Sequence, residues 1–556
     1  MRKSTQSLIN LTILSVLLLA ATGFGQVQFV SGVVFEDLNG NGSRDNGEPG
    51  IGDVLVSNQI DVVITDGDGR YQLPARHEMV VFVTQPVGYR VPVDEHQLPQ
   101  FFYVHDEDGS SSDVNWKYEV LKPTGPLPAS VDFPLLKEEH KNPFRMIAMA
   151  DPQPRDDREI DYIREDVMPQ MVNTEAEMAI VHGDIMFDDL SLFERQNDLF
   201  AQVGVPVWNV PGNHDMNQRS KNDYESMETF RRIFGPTYYS HDYADVHFMT
   251  LENVHYRGAD YVKPEGGSQY YGFFNPEQLM WIENDLKHVP KDKLIVLSTH
   301  IPIKAFHEDH ESVNTVNREE LFTLLEGRKY LLLLAGHTHT NDHVYIGEED
   351  GWHGEQPLHQ HILGTVSGSW WRGPLDERGI PATTMRDGTE NGYHIFTFDG
   401  TDYSSRFIPA SMDEDYQIRI LIEPGDTGVL PDSMYQMAGE PGNVLLSGRV
   451  EQATVVANVF NGGEKAQVTL RVDGGEPIPM QHTVRTDPYF KEAAERLKQA
   501  KVERKWRYWG NLVSSHIWTV NLPQGLQPGS HTVVVTAIDQ YGQTLEGTKI
   551  FEVISR

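Results

Sequence analysis

The chain has 556 residues, 39% of them hydrophobic, more than one hydrophobic core usually organises, so two to four domains are expected. It contains no cysteine, which excludes disulfides, thiolate metal ligands, lipidation on Cys and a Cys nucleophile. The formal net charge of −35, from 81 acidic and 46 basic residues, argues against nucleic acid as a partner, because phosphate backbones need clustered Lys and Arg; a solvated acidic surface is the ordinary reading.

In chain order, Arg2 and Lys3 precede an apolar run from Leu8 to Ala21 that is too short for a membrane span. Small residues near Gly23 and Gly25 suit cleavage before Gln26. The expectation is a signal peptide over residues 1–25 and a secreted or periplasmic protein with no integral membrane segment after cleavage; a retained N-terminal anchor is the alternative. Residues 26–136 hold short β-type runs (Phe29–Val34, Val62–Thr65, Tyr71–Leu73, Met79–Thr84) broken by Gly, Asp and Pro, which predicts a small all-β module. Within it Asp37, Asn39, Asn41, Ser43, Asp45 and Glu48 match the spacing of a twelve-residue calcium loop with Gly42 at the sharp turn, set between strands instead of helices. A bound calcium ion and a plain Asn/Gly turn are both consistent with that pattern.

Residues 143–400 alternate apolar strands with helical patterns, the signature of a layered α/β domain. Met146–Met149, Met178–Val181, Val205–Val210, Leu294–Ser298 and Leu331–Ala335 read as buried strands, and each ends just before a residue able to bind metal. Leu190, Phe193 and Phe200 mark one helical stripe, and Leu279, Ile282 and Leu286 another. Residues 403–556 return to strand-rich sequence, with strands expected at Ser515–Val520 and Thr532–Thr536 and a turn at Asp539–Gly542. Lys137–Lys141 and Glu423–Asp426 are the expected joints or exposed loops. The segment 491–508 is basic in an acidic chain and reads as a solvated helix or as an attractor of phosphate near the site.

The strand ends bring forward Asp151 and Gln153, Gly183-Asp184, Gly212-Asn213-His214-Asp215, His300 and Gly336-His337-Thr338-His339. In α/β sheets the C-terminal strand edge is where sites assemble. This set suits two divalent ions sharing a bridging hydroxide: a carboxylate, Asp184, spans both, the imidazoles of His300, His337 and His339 fill shells without excess charge, and Asn213 adds a carbonyl oxygen. His214, next to a ligand, is placed to donate a proton to the leaving oxygen or to steady the transition state. His182, His241, His247 and His255 read as scaffold, and Asp215 either orients a neighbour or closes its loop.

Those five pieces, in that order, resemble the calcineurin-like metallophosphoesterase superfamily across roughly residues 144–399. The resemblance implies a multidomain protein with a central α/β four-layer (α/β/β/α) sandwich flanked by two all-β domains. It implies one metal held by Asp151, Gln153, Asp184 and His339, a second held by Asp184, Asn213, His300 and His337, and His214 as the catalytic residue. Gln153 stands where the family pattern has His, which tilts the expected ions (Mn, Fe, Zn or Mg) toward the harder Mn²⁺ and Mg²⁺. Asp188, in Gly183-Asp184-Ile185-Met186-Phe187-Asp188, falls one residue beyond the family spacing, so the pattern does not carry a His-orienting role onto it.

The N-terminal module resembles prealbumin-like or serine-aspartate-repeat modules of bacterial surface proteins, and the last region resembles fibronectin- or immunoglobulin-like domains. Trp370, Trp371 and Arg372 lie in a glycine-rich loop. They either stack a sugar or base and grip phosphate, or pack as a core pair capped by a surface Arg. The sequence therefore predicts a secreted bacterial phosphoesterase acting on phosphomonoesters or phosphodiesters of a small phosphorylated molecule or of a phosphorylated glycan or wall component. A surface glycan-binding protein with a weak or lost centre is the alternative.

Overall fold

A computed structural model describes residues 28–306, 310–423, 444–491 and 512–555. The expected signal peptide, the joint beyond Glu423 and all of the basic segment after Lys491 lie outside them. No helix among the described residues is long and apolar enough to cross a membrane.

The domain between residues 144 and 409 is built on two sheets. One holds five strands in the order Val207–Val210, Met178–His182, Phe144–Met149, Gly392–Asp399 and Asp402–Pro409; the first three are parallel. The other holds six, with Val246–Thr250, Leu294–Ser298, Leu331–Ala335 and Leu358–Ile362 parallel in its middle. Phe144–Met149, Met178–His182, Leu294–Ser298 and Leu331–Ala335 carry apolar residues at nearly every position because both faces are covered. In the first sheet Met146, Ala148, Ile180, Trp208 and Phe396 point to one cluster shared with the second sheet, while Ile147, Met149, Ala179, Val181 and Val207 point to another shared with the helices Asp157–Asp166 and Phe193–Phe200. The sheets meet directly: Phe144 and Phe398 lie against Phe248 at 6.3 and 5.6 Å, and His182 Nε2 accepts from Ser298 Oγ at 3.1 Å. Helices Pro276–Leu286 and Arg318–Leu325 add Trp281, Ile282, Leu286, Leu321 and Phe322 to the cluster of the second sheet.

One expected boundary is corrected. The strand Asp402–Pro409 pairs along its whole length with Gly392–Asp399 as a hairpin at the edge of the first sheet, so the joint to the last domain lies after Pro409 and not at 403. The strand patterning on the two sides of 403 is alike, which is why composition alone misplaces it.

Two four-stranded sheets make the N-terminal module, and a four- and a five-stranded sheet make the last region, around Ile420, Val455, Leu470, Trp518 and Val535. The N-terminal module does not hang free. Phe82 packs on Trp281 (6.1 Å between ring centres), and Phe101 packs on Trp208 (5.1 Å) and Tyr239 (4.9 Å), so its core runs into the central one.

Candidate metal centre

Every residue expected to bind metal follows the C-terminal end of a parallel strand: Asp151 and Gln153 after Met149, Asp184 after His182, Asn213 after Val210, His300 after Ser298, and His337 and His339 after Ala335. Because the two sheets face each other, these ends open on one crevice. The chain turns sharply there. Asp151, Gln153, Asp184, His337 and His339 all take left-handed backbone conformations, with φ of 47°, 40°, 50°, 76° and 54°. Each costs roughly 1–3 kcal/mol in a non-glycine residue, and such strain persists only where its surroundings impose it. The motif glycines answer to crowding: a Cβ on Gly183 would enter the His300 ring, and one on Gly212 would strike the backbone nitrogen and carboxylate of Asp184.

Asp184, His300 and His337 bring their ligand atoms into one cluster. His300 Nε2 lies 3.2 Å from Asp184 Oδ1, 3.0 Å from Asn213 Oδ1 and 3.1 Å from His337 Nδ1. The outer nitrogen of each imidazole is spoken for by a backbone carbonyl: His300 Nδ1 donates to His182 O (2.9 Å), His337 Nε2 to Ser312 O (2.8 Å) and His339 Nδ1 to Gly368 O. That fixes the tautomers and turns three inner nitrogens toward the carboxylates, the arrangement that orients metal-binding histidines. His339 Nε2 is buried with no hydrogen-bond partner, 3.6 Å from Asp151 Oδ1. Burial holds His337 and His339 down at about 3, so both are neutral. Burial opposes charge on His300 too, yet Asp184 overrides it and pushes its pKa up to about 9. Carboxylates and imidazoles thus converge on a point that draws positive charge, and the ligand set fits divalent cations.

Gln153 sits in the expected place but bonds as a donor, through Nε2 to Asp151 Oδ1 (3.2 Å) and to Asp184. Its Oε1 accepts the indole N–H of Trp370 at 2.5 Å; indole can only donate, so the carboxamide orientation is set by the network. To serve as a ligand, Gln153 has to share or turn this oxygen.

His214 donates through Nδ1 to Asp188 Oδ1 at 2.7 Å, with the Phe187 ring stacked on it at 4.2 Å, while its backbone N–H bonds Asp184 Oδ1 at 2.8 Å. Burial works against its charge, but Asp184 and Asp188 hold its pKa above the usual histidine value. Asp188 therefore does orient His214, and the spacing argument against it is corrected: its left-handed backbone (φ 63°) absorbs the extra residue and swings the carboxylate back. Asp215 is wholly buried and accepts from the backbone N–H of Gly212, Ile185 and Met186 at 2.9–3.1 Å, which ties two ligand loops together.

The aromatic loop divides. Trp370 lies over His339 at 4.1 Å, with the Arg372 guanidinium 5.0 Å above its ring. Trp371 turns away into the outer core beside Tyr162 and is 3% exposed, so it is packing and not a substrate platform. As expected of scaffold, His182, His241 and His247 are buried inside strands, and His255 pairs with Asp223 at 3.1 Å. Sequence reasoning missed Ser312 and Gly368, whose backbone carbonyls leave no mark in residue type.

In the N-terminal loop, Asp37 accepts from the backbone N–H of Gly40 and Gly42, and Glu48 accepts from those of Leu38 and Asp45. Asn39 and Asn41 both donate to Asp45 Oδ2, and Ser43 N–H bonds Asn41.

Family models described as the N terminal of calcineurin-like phosphoesterase, calcineurin-like phosphoesterase, and the C terminal of calcineurin-like phosphoesterase match residues 38–121, 144–341 and 360–545. The probable glycerophosphodiester phosphodiesterase GpdQ of Arcobacter nitrofigilis is 27% identical over 169 residues, covering 29% of this chain and 56% of that protein. The chain thus spans about half the length of this curated relative. Among solved structures, a dimetal phosphatase from Danio rerio is 13% identical with a TM-score of 0.33, covering 49% of this chain and 98% of its own. Purple acid phosphatase PPD1 from yellow lupin (Lupinus luteus) seeds is 11% identical with a TM-score of 0.32, covering 64% and 67%. With three models in register along most of its length, the chain belongs to the calcineurin-like phosphoesterases.

Proposed function

We propose that the protein is an extracytoplasmic phosphoesterase that uses two divalent ions to hydrolyse phosphomonoester or phosphodiester bonds. The observation that carries this reading is the convergence of Asp184, Asn213 Oδ1, His300 Nε2 and His337 Nδ1 on one point, with His339 Nε2 left unpartnered next to Asp151. Asp151, Asp184 and His339, with Gln153 beside them, would hold one ion, and Asp184, Asn213, His300 and His337 the other. When bound, such a pair activates water and neutralises charge on the phosphoryl oxygens. The rest falls to side chains. His214, held by Asp188 and Phe187 and 24% exposed, presents Nε2 to the substrate and protonates the departing oxygen. Trp370 covers the first site and keeps water from its open side.

The central domain is read as a four-layer α/β/β/α sandwich flanked by two β domains, supported by the separate apolar clusters on either face of the first sheet. Export rests on the charged and apolar pattern of residues 1–25. The partner is a small phosphorylated molecule or a phosphorylated glycan, and the loop from Asp37 to Glu48 takes calcium.

The test is hydrolysis of para-nitrophenyl phosphate and of bis(para-nitrophenyl) phosphate by metal-free protein supplied with Mn²⁺, Mg²⁺, Fe²⁺ or Zn²⁺. Asn213→Ala and His214→Ala should each lower the rate far more than they lower stability. Full activity in both variants would defeat the assignment.

A further inference from the structure

Beside Asp188 opens a cavity of about 130 Å³ that hydrolysis of a simple ester does not need. One wall is Trp116, Lys117 and Tyr118 from the N-terminal region; the other is Met216 to Arg219, which follows directly on the Gly212-Asn213-His214-Asp215 loop. The first wall is fastened in place. Tyr118 Oη donates to the Asp188 carbonyl (2.5 Å), Thr229 Oγ1 and Arg232 Nε donate to the Glu119 carbonyl (2.9 and 3.1 Å), Arg219 Nη1 donates to the Asn115 carbonyl (3.3 Å), and Trp116 Nε1 closes its own turn on Ser111 O (2.8 Å).

The charge here runs against the rest of the molecule. In a chain with 81 acidic and 46 basic residues, Lys117 contacts the Tyr118 hydroxyl and Arg219 contacts a carbonyl; among the described residues neither lies within ion-pair distance of a carboxylate, and Asp189 is the acidic group that acts on Lys117 from farther off. Most other cations around the centre are neutralised: Arg155 pairs with Glu159, Arg257 with Glu311 and Arg378 with Asp166. Asp188 belongs to both places, since its carboxylate holds His214 and its residue lines the cavity. The cavity therefore lies next to the hydrogen bond that holds His214.

We propose that the cavity is a leaving-group subsite, and that the preferred substrate is a phosphoester whose leaving alcohol carries a second anionic group. Lys117 and Arg219 hold that anion, and Trp116 and Met216 cover the carbon skeleton between it and the scissile bond. Hydrolysis adds water across the P–O bond: the water oxygen goes to phosphorus, the departing oxygen takes its proton from His214, and the proton shed by the water passes to solvent, from which His214 is reprotonated. This rests on the phosphoesterase reading above and specifies its substrate.

The test uses the full-length, metal-supplied protein and two chromogenic diesters, bis(para-nitrophenyl) phosphate and the analogue with a carboxylate on each nitrophenyl ring. The readout is the ratio of kcat/KM for the carboxylated over the neutral diester, in the unaltered protein and in Lys117→Met and Arg219→Met. The unaltered protein should favour the carboxylated diester. Each substitution should lower the ratio about tenfold, mainly through KM, and added salt should compress it. A ratio unchanged in both variants overturns the subsite while turnover of the neutral diester keeps the hydrolase reading intact. No turnover of either diester with any of the four ions overturns both.

Discussion

Removing the Asp188 carboxylate should slow hydrolysis, and should do so only through His214. The contact is a 2.7 Å hydrogen bond from His214 Nδ1, and the same oxygen also accepts from Gln218 Nε2 at 2.5 Å. A hydrogen bond to an ionised partner contributes about 1.5–3 kcal/mol when well made, or roughly 10- to 150-fold in rate if it is felt in the transition state. The Asp188 side chain is 37% exposed, so water weakens it and the lower end, about tenfold, is the expected loss in kcat for Asp188→Ala. His214→Ala removes the proton donor itself and should cost roughly 10²- to 10⁴-fold. The decisive measurement is the double variant. If Asp188 only positions the imidazole, Asp188→Ala has nothing left to spoil once His214 is gone, and the double variant should match His214→Ala within about twofold. Steady-state turnover of bis(para-nitrophenyl) phosphate, with metal content measured on each protein, reads this directly. Were the two losses simply to multiply, Asp188 would be acting on the metal ligands or on the substrate, and the positioning role would be wrong.

Stability should depend on pH through His247, which lies between Asp242 (2.8 Å) and Asp285 (2.9 Å), 1% exposed; burial opposes its charge, but Asp285 and then Asp242 push its pKa up to about 9. Its contribution is complete below about pH 6.5 and disappears as pH rises through about 9, an upper bound of about 3 kcal/mol; a urea midpoint unchanged between pH 6 and pH 9.5 would exclude it, and His247→Gln should flatten the profile. Gln153→His replaces an amide that donates to both carboxylates with a ring nitrogen able to bind metal, so the more weakly held ion should be retained about tenfold more tightly against a chelator. Weaker retention would mean that Gln153 already binds through Oε1. Calcium should raise the thermal midpoint of the protein, and Glu48→Ala should remove that response; a midpoint indifferent to calcium would leave residues 37–48 as a self-bonded Asn/Gly turn.

The skeleton of the centre was legible because buried parallel strands advertise themselves as apolar runs, and the residue following each run is fixed in space by the strand before it. Leu294–Ser298 and Leu331–Ala335 appear in the structure with the bounds the sequence implies, and His300, His337 and His339 follow from them. Contacts that depend on loop conformation were not legible. Counting residues from Asp184 does not assign a role to Asp188, since a count assumes a regular path and the left-handed turn at Asp188 is not one. The sequence leaves the Trp370-Trp371 pair as either a platform or core packing, and the structure divides it: consecutive residues with φ of 60° and 52° send one ring onto His339 and the other into the core. Nor does residue type reveal that Trp116 and Lys117, about a hundred positions upstream, lie against Met216 and Arg219, because no periodicity links a surface loop to its partner.

The same left-handed residues explain why one edge of the fold holds the chemistry. A strand that continued straight past Met149 or His182 would carry Asp151 or Asp184 out of the crevice; the reversal at each turns the carboxylate inward and lets Gly183 and Gly212 approach within contact of His300 and Asp184. Five non-glycine residues in that conformation amount to several kcal/mol of local strain, concentrated where like-charged carboxylates also crowd. Asp215, wholly buried and bonded to three backbone N–H groups, offsets part of it by clamping the Asp184 and Asn213 loops to each other, and the carbonyls of His182, Ser312 and Gly368 hold the three imidazoles. What these clamps preserve is a cluster of carboxylates and imidazoles that draws positive charge, as the raised pKa of His300 beside Asp184 records. The arrangement of these groups is thus set by the surrounding sheets and loop clamps, not by the ligand side chains alone.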